Sequence, residues 1–321
     1  MPSSGIPTNA TPSAVDRLRD HLRGRLVAAA LTPFHPDGTI ARSAVAGYAA
    51  ALRQGGSTAI AVGAHTGRGG RLGADDLTWL VREFGTASEL PVVAGLALPA
   101  GAPPASALPL ATRLREAGAQ ALLVCPVPGA SRDTVVTLHR ILGEKVGLPL
   151  VAFVLYERAS GCQYDAATLA EVLSLPWVCG VKLALLDDAM RCQDLLDTAR
   201  TAAPDALVFT GEDRMYGPSL MWGSQAALLG IAAALPDWSV AVLDAWTSGD
   251  AAAFVAASDR LDALARLTFR EPMEGYVQRM AWIAAWQGIL PAGVALDPYA
   301  PALPDSERRT LLAAVDNLAC R

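Results

Sequence analysis

The chain has 321 residues, of which 52% are hydrophobic and 18% are charged, and its formal net charge is −5. This length and composition predict a soluble globular protein with one large core or two smaller domains. The acidic charge, and the lack of a basic cluster interleaved with aromatic residues, argue against nucleic acid as a partner. No apolar run approaches the roughly 20 residues needed to cross a membrane, and the first residues do not resemble a signal peptide. We therefore expect a cytoplasmic location and no membrane partner.

Strand-like apolar runs alternate with helical patterns along most of the chain. After an N-terminal tail, a short amphipathic helix is predicted at 14–22. Eight strands are predicted at 26–32, 58–64, 91–96, 121–126, 150–156, 178–184, 207–211 and 226–231. Helices are predicted between them at 43–54, 75–87, 105–117, 133–144, 165–173, 189–202 and 216–222. Continuous apolar strands alternating with helices indicate a parallel sheet buried on both faces, and eight such units favour a closed (β/α)8 TIM barrel over an open sheet.

Helical patterns continue after the eighth strand. They cover 239–246, 250–267, 274–287 and 306–318, and a proline-rich stretch at 291–304 interrupts them. The chain is therefore predicted to have three parts: a tail with a short helix at 1–24, the α/β barrel at 25–238, and a C-terminal helical region at 239–321. The aromatic-rich segment 273–286 either packs on the barrel, which we favour, or forms an interface between subunits.

The five cysteines do not form a recognisable site. They are scattered, without a CxxC pair, at Cys125, Cys162, Cys179, Cys192 and Cys320. Neither a disulfide framework nor a zinc site is indicated, so we expect free thiols and no bound metal.

Lys182 stands alone as a cation within the apolar stretch 177–186, and the chain has only one other lysine, Lys145. Charged side chains are rare in buried strands unless they are paired or used chemically. Desolvation lowers the pKa of a buried lysine and leaves a neutral amine that can attack a carbonyl. Lys182 is therefore either a nucleophile that forms a Schiff base or a structural lysine whose ammonium reaches solvent or an ion pair.

In such a barrel the chemistry lies at the carboxyl ends of the strands. Here the chain resembles the dihydrodipicolinate synthase / N-acetylneuraminate lyase family of pyruvate-dependent class I aldolases, from about residue 26 to about residue 290. The motifs that carry this resemblance are Thr32-Pro33-Phe34 with the turn Asp37-Gly38, His65-Thr66-Gly67, the run from Pro91 to Gly95, Ala117-Gly118-Ala119, Tyr156, Gly180-Val181-Lys182 and Gly211-Glu212-Asp213.

The resemblance implies that Lys182 forms an imine with the ketone of pyruvate or a related 2-oxo acid, with no metal or organic cofactor. It also implies that the loop containing Thr66 and Gly67 holds the carboxylate and that Tyr156 moves protons. We also expect Gly211 and Leu228 to bind the substrate. Arg158 is a candidate to bind an anionic group of the second substrate, or else forms a surface salt bridge. A homotetramer is implied as well.

The chain departs from the family pattern in its proton relay. His65 replaces a threonine, Arg68 replaces a glutamate, and no tyrosine follows strand 4. Histidine can donate or accept a proton near neutral pH, so His65 either replaces the relay or is structural.

We therefore predict an aldolase or lyase acting on a 2-oxo acid and an aldehyde through Lys182, Tyr156 and His65, distinct from an authentic dihydrodipicolinate synthase. The alternatives are an imine-forming dehydratase or hydratase-aldolase and a barrel that binds 2-oxo acids without turnover.

Overall fold

The computed structural model describes residues 13–320. Most of the predicted N-terminal tail, up to residue 12, lies outside the described residues. The predicted short helix is confirmed as α1 (Ala14–Leu22), which begins at Ser13, whose hydroxyl accepts a hydrogen bond from the backbone N–H of Asp16.

All eight predicted strands form. They are β1 (Leu26–Ala29), β2 (Ala59–Val62), β3 (Val92–Leu96), β4 (Ala121–Val124), β5 (Leu150–Leu155), β6 (Val178–Ala184), β7 (Leu207–Thr210) and β8 (Ala226–Leu229). Each strand pairs in parallel with the next, and β8 pairs with β1, so the sheet closes on itself. The predicted (β/α)8 barrel is confirmed.

Helices follow the strands around the outside of the barrel. The elements are α2 (Arg42–Gln54), α3 (Ala74–Ser88), α4 (Leu108–Glu116), α5 (Arg132–Val146), α6 (Glu157–Ser160), α7 (Ala166–Leu173), α8 (Ala189–Ala202), α9 (Tyr216–Trp222), α10 (Pro236–Ser248), α11 (Ala251–Thr268), α12 (Tyr276–Trp286) and α13 (Asp305–Ala319). The prediction at 105–117 was too long at its start, since Pro104–Ala107 forms a 3-10 turn and the α-helix begins just before Pro109. The one-turn helix α6 was not predicted.

The amino-terminal end of the barrel is covered by α1. Its apolar face is buried, and the Arg19 guanidinium donates hydrogen bonds to the carbonyl oxygens of Val178 and Cys179 at the start of β6. The opposite end, where the strands finish, is the end at which barrels of this kind have their active sites.

Two apolar layers hold the barrel together. Alternate residues of each strand point inward and form one cluster, while the others pack against the helices. Phe153 belongs to the inner cluster, and Lys182 pairs with it across the strands, so Lys182 also points inward.

The C-terminal region packs on the barrel. Helix α10 lies against β1 and against Gly55 and Gly56 at the end of α2, so the predicted boundary at residue 238 would divide the eighth barrel helix. In α12, residues 276–284 are all buried within this one chain, against α11, α13 and the turn that follows β8. Across residues 13–320, no helix has both the length and the apolar character needed to cross a membrane.

Candidate active site

Lys182 extends from β6 into the barrel interior and is 4% exposed. Its Nζ lies 4.4 Å from the centre of the Phe153 ring. Gly211 leaves room for the side chain, because a Cβ at that position would be 2.4 Å from Lys182 Cε. Burial lowers the pKa of Lys182, and the negative charge of Asp213 opposes part of that shift. The amine is therefore available in its neutral, nucleophilic form more readily than an exposed lysine.

The loop after β2 presents Thr66 and Gly67 at the same end of the barrel. The Thr32 hydroxyl donates a 2.7 Å hydrogen bond to the Gly67 carbonyl. Glycine is needed at position 67, since a Cβ would lie 2.8 Å from the carbonyl oxygen of Ala30. Thr66 is buried, with its hydroxyl 3.1 Å from that of Tyr276. The loop is thus fixed by the end of β1 on one side and by the C-terminal region on the other.

Tyr156 follows β5 and donates its hydroxyl hydrogen to Glu274 Oε1 at 2.8 Å. The carboxylate belongs to the turn before α12, 118 residues further along the chain. Burial raises the pKa of Tyr156, and the charge of Glu274 raises it further. The phenol is therefore protonated, and its hydrogen points at Glu274.

Glu274 also contacts His65 and Arg68 of the loop after β2. His65 Nε2 lies 3.1 Å from both carboxylate oxygens, and Arg68 Nη1 donates to Oε2 at 2.7 Å. Burial by itself would raise the pKa of Glu274, but the hydrogen bonds it accepts hold that pKa below its ordinary value. An ionised carboxylate only accepts hydrogen bonds, so Nε2 carries the hydrogen in its contact with Glu274. One carboxylate thus joins the two residues that were predicted to transfer protons, Tyr156 and His65.

Arg68 is held in turn by Asp297, whose side chain is 1% exposed. The guanidinium donates to Asp297 Oδ2 from Nε at 3.1 Å and from Nη2 at 2.7 Å. This two-pronged contact fixes the planar guanidinium in one orientation. The buried pair connects the loop after β2 to the segment between α12 and α13.

Two carboxylates after β7 are buried. Burial raises the pKa of Asp213 to about 6, while the charge of Lys182 and a 2.7 Å hydrogen bond from the Ile231 backbone N–H oppose this shift. Burial likewise raises the pKa of Glu212 to about 7, although it accepts two backbone N–H groups that follow β6. Glu212 therefore ties β6 to β7, and Asp213 is the acidic group electrostatically coupled to the Lys182 amine.

A cavity of about 620 Å³ opens at this end of the barrel. Its lining includes Phe153, against which Lys182 packs, together with His65 and Glu274. A cavity of this size falls within the range of small-molecule sites.

Two of the predicted binding residues, Arg158 and Leu228, lie in different surroundings. Arg158 lines the cavity, but its side chain is 58% exposed and forms a 2.8 Å ion pair with Glu271. Leu228 is fully buried on the inner face of β8 and does not line the cavity. The alternation of the strand directs Leu228 into the closed interior, and its substrate contact stays a prediction.

Sequence reasoning missed Glu274, Tyr276 and Asp297 as site residues. All three lie after the barrel, and no motif or spacing in the sequence relates them to the loop after β2. The one available signal was the acidic residue Glu274 at the start of a largely apolar helix. Within residues 13–320, no group of three or more His, Cys, Asp or Glu side chains could hold a metal ion.

The profile of the Dihydrodipicolinate synthetase family matches residues 22–317. The chain belongs to this family. The resemblance inferred from the motifs is therefore confirmed, and the match includes most of the C-terminal helical region that carries Glu274.

Members of the family that are similar to this chain bear different enzyme names. A probable 5-dehydro-4-deoxyglucarate dehydratase 2 of Streptomyces coelicolor is 31% identical over 209 residues, covering 63% of this chain and 60% of that protein. An N-acetylneuraminate lyase of Rhizobium meliloti is 28% identical over 63% of this chain and 66% of its own length. This chain therefore spans less than two thirds of the length of either relative.

Among solved structures of the family, that of YagE, a prophage protein of E. coli K12 in complex with pyruvate, superposes with a TM-score of 0.82. The match covers 92% of this chain and 98% of YagE at 19% sequence identity. At this identity the likeness shows a shared fold.

Proposed function

We propose that the protein is a class I lyase that forms an imine between Lys182 and the ketone of pyruvate or a related 2-oxo acid. The observation that carries this proposal is the Lys182 amine, buried at the carboxyl ends of the strands with its pKa lowered. Tyr156 is close by along the sheet, because its backbone N–H donates to the carbonyl of Ala184, two residues after Lys182. An imine requires such a neutral amine and a nearby proton donor.

In this proposal the Lys182 amine attacks the C2 carbonyl carbon, and the carbonyl oxygen leaves as water. The hydroxyl of Thr66 and the tightly packed backbone at Gly67 hold the carboxylate of the 2-oxo acid. Tyr156 supplies and removes protons at the imine and at the bond that breaks. These roles follow from family membership together with the convergence of the loops at one end of the barrel.

The charges around the cavity favour an acidic substrate. Arg68, Arg71 and Arg158 line the cavity with His65, against one carboxylate, Glu274. Arg68 and Arg158 are engaged by carboxylates, whereas Arg71 has no carboxylate within ion-pair distance anywhere in residues 13–320. An exposed, unpaired guanidinium at the cavity suits a second anionic group on the substrate.

A second candidate function is an imine-forming dehydratase, in which the same Lys182 imine activates the loss of water in place of carbon–carbon cleavage. The observation that favours it is the dehydratase name of the Streptomyces coelicolor relative. The two reactions can be separated by their products. Incubation with 5-dehydro-4-deoxyglucarate, followed by NMR, distinguishes a dehydrated product from a pair of cleavage products, and N-acetylneuraminate serves as the matching test of the lyase name.

Reductive trapping tests the imine directly. The protein is incubated with pyruvate and sodium borohydride, and the reduced adduct is mapped by mass spectrometry. Lys182→Ala should abolish the adduct with the fold retained, and Lys145→Ala, which changes the only other lysine, should not affect it. An adduct on Lys145 or on the chain terminus, with none on Lys182, would contradict the proposal.

The cytoplasmic location and the homotetramer stay predictions from the sequence. Light scattering coupled to size-exclusion chromatography tests the tetramer.

A further inference from the structure

We propose that Glu274 is the proton acceptor behind Tyr156: it accepts the hydrogen of Tyr156 when Tyr156 takes a proton from the substrate, and it releases that hydrogen again in the reverse step. This inference rests on the proposed imine chemistry and adds to it a residue from outside the barrel. Glu274 acts through Tyr156, so it is a positioning residue for the proton rather than a group that touches the substrate.

The first support is the direction of the Tyr156 hydrogen. A phenol has one hydrogen, and here it is donated to Glu274 Oε1 at 2.8 Å. The lone pairs of the phenol oxygen are therefore the part of the group left to accept a proton from a substrate. A carboxylate at 2.8 Å is within the distance at which general acids and bases exchange a proton.

The second support is that Glu274 is both ionised and accessible. His65 and Arg68 hold it as a carboxylate, while its side chain remains 40% exposed and lines the cavity. Because its pKa is held below the ordinary value, Glu274 keeps an accepted proton only briefly and can release it to water in the cavity without passing it through the protein interior.

The third support is that the backbone segment before Glu274 is held in place by hydrogen bonds. Arg279, fully buried, donates hydrogen bonds to the carbonyl oxygens of Thr268, Arg270 and Pro272, in the segment leading to Glu274. Arg68 is separately anchored by Asp297. Asp297 and Glu274 thus share the Arg68 guanidinium, which fixes the Glu274 carboxylate from the side away from Tyr156 Oη.

The step balances for pyruvate bound as the imine. A C3–H bond breaks and its proton forms a bond to the Tyr156 oxygen, while the original Tyr156 O–H bond breaks and an O–H bond forms on Glu274 Oε1. The electrons of the C3–H bond form the C2–C3 double bond, and the positively charged imine becomes a neutral enamine. Reversal returns a proton to C3, and in deuterated water it returns a deuteron.

The rate at which the C3 hydrogens of pyruvate exchange in deuterated water, followed by proton NMR, therefore tests the role of Glu274. The assay does not require the second substrate to be known. In Glu274→Gln the borohydride adduct with pyruvate should still reach full occupancy, because Lys182 itself is unchanged. The rate of C3 exchange at saturating pyruvate should fall about 10²-fold, the scale of a general base, with the half-saturating concentration unchanged.

Glu157→Gln is the matched control. Glu157 is next to Tyr156 in the chain, its carboxylate contacts the Gln163 side chain, and it is exposed, so the same chemical change there should leave exchange unaltered. Glu274→Asp, which keeps the charge for Arg68 but withdraws the carboxylate from Tyr156, should lose exchange as Glu274→Gln does and serves if the amide variant unfolds.

Three results would overturn the inference. Exchange in a folded Glu274→Gln within about threefold of the unchanged protein would remove Glu274 from the proton path. Loss of the adduct in Glu274→Gln alone would place Glu274 in imine formation instead. Absence of the adduct in the unchanged protein would overturn the proposed function itself, which separates that failure from a failure of Glu274.

Discussion

Replacing Arg68 by methionine should destabilise the protein strongly, because the change leaves a buried carboxylate without its cation. Asp297 is 1% exposed and would keep the backbone N–H of Tyr299 as a donor, but would lose every contact from the guanidinium. Breaking a buried pair by removing one partner costs about 3–5 kcal/mol. With an unfolding entropy of about 2.1 cal/mol/K per residue, that loss corresponds to a fall in Tm of about 4–7 °C for a chain of this size.

Thermal unfolding followed by circular dichroism measures the effect. The double variant Arg68→Met/Asp297→Asn should recover most of the stability lost in Arg68→Met, since it removes the fully buried carboxylate, and Glu274, which is 40% exposed, keeps the contact with His65. Arg132→Met makes the same chemical change at a half-exposed pair with Glu171 and should cost less than about 1 kcal/mol. The reasoning fails if Arg68→Met loses no more stability than Arg132→Met. It also fails if the stability losses of Arg68→Met and Asp297→Asn, each measured alone, simply add in the double variant.

Three further predictions concern the site. Gly211→Ala should slow adduct formation about 10²-fold with the fold intact, because the new Cβ would lie 2.4 Å from Lys182 Cε; trapping at an unchanged rate would show that Lys182 is free to move aside. In Asp213→Asn the fall in the rate of adduct formation at acidic pH should occur at a lower pH, since the charge of Asp213 raises the pKa of Lys182 against burial. A fall that occurs at a higher pH would contradict this coupling. His65→Ala should leave the adduct intact but lower C3 exchange about 10²-fold, because Glu274 loses the Nε2–H donor that helps to orient its carboxylate toward Tyr156; unaltered exchange would make His65 a structural residue.

The barrel itself could be predicted from the sequence because its signals are local. Each strand is a short apolar run, each helix has its own period, and eight such units in a row have few ways to bury both faces of a sheet. The same rules place Lys182 on the sixth strand, and the known direction of a barrel places the loops containing His65 and Tyr156 at one end. Some element ends differed, for example at 104–109, where proline changes the local backbone.

The sequence by itself thus determined the fold, the family and the identity of an unusual buried lysine. Only the tertiary structure decided what surrounds that lysine, because Glu274, Tyr276 and Asp297 approach the loop after β2 from more than 200 residues away in the chain. The C-terminal helices return to the barrel through packing of apolar faces, for which no periodic pattern specifies a partner. From the sequence, a single acidic residue in such a segment is predicted to be an exposed surface residue. It joins the site only because folding places its carboxylate against Tyr156, His65 and Arg68 together.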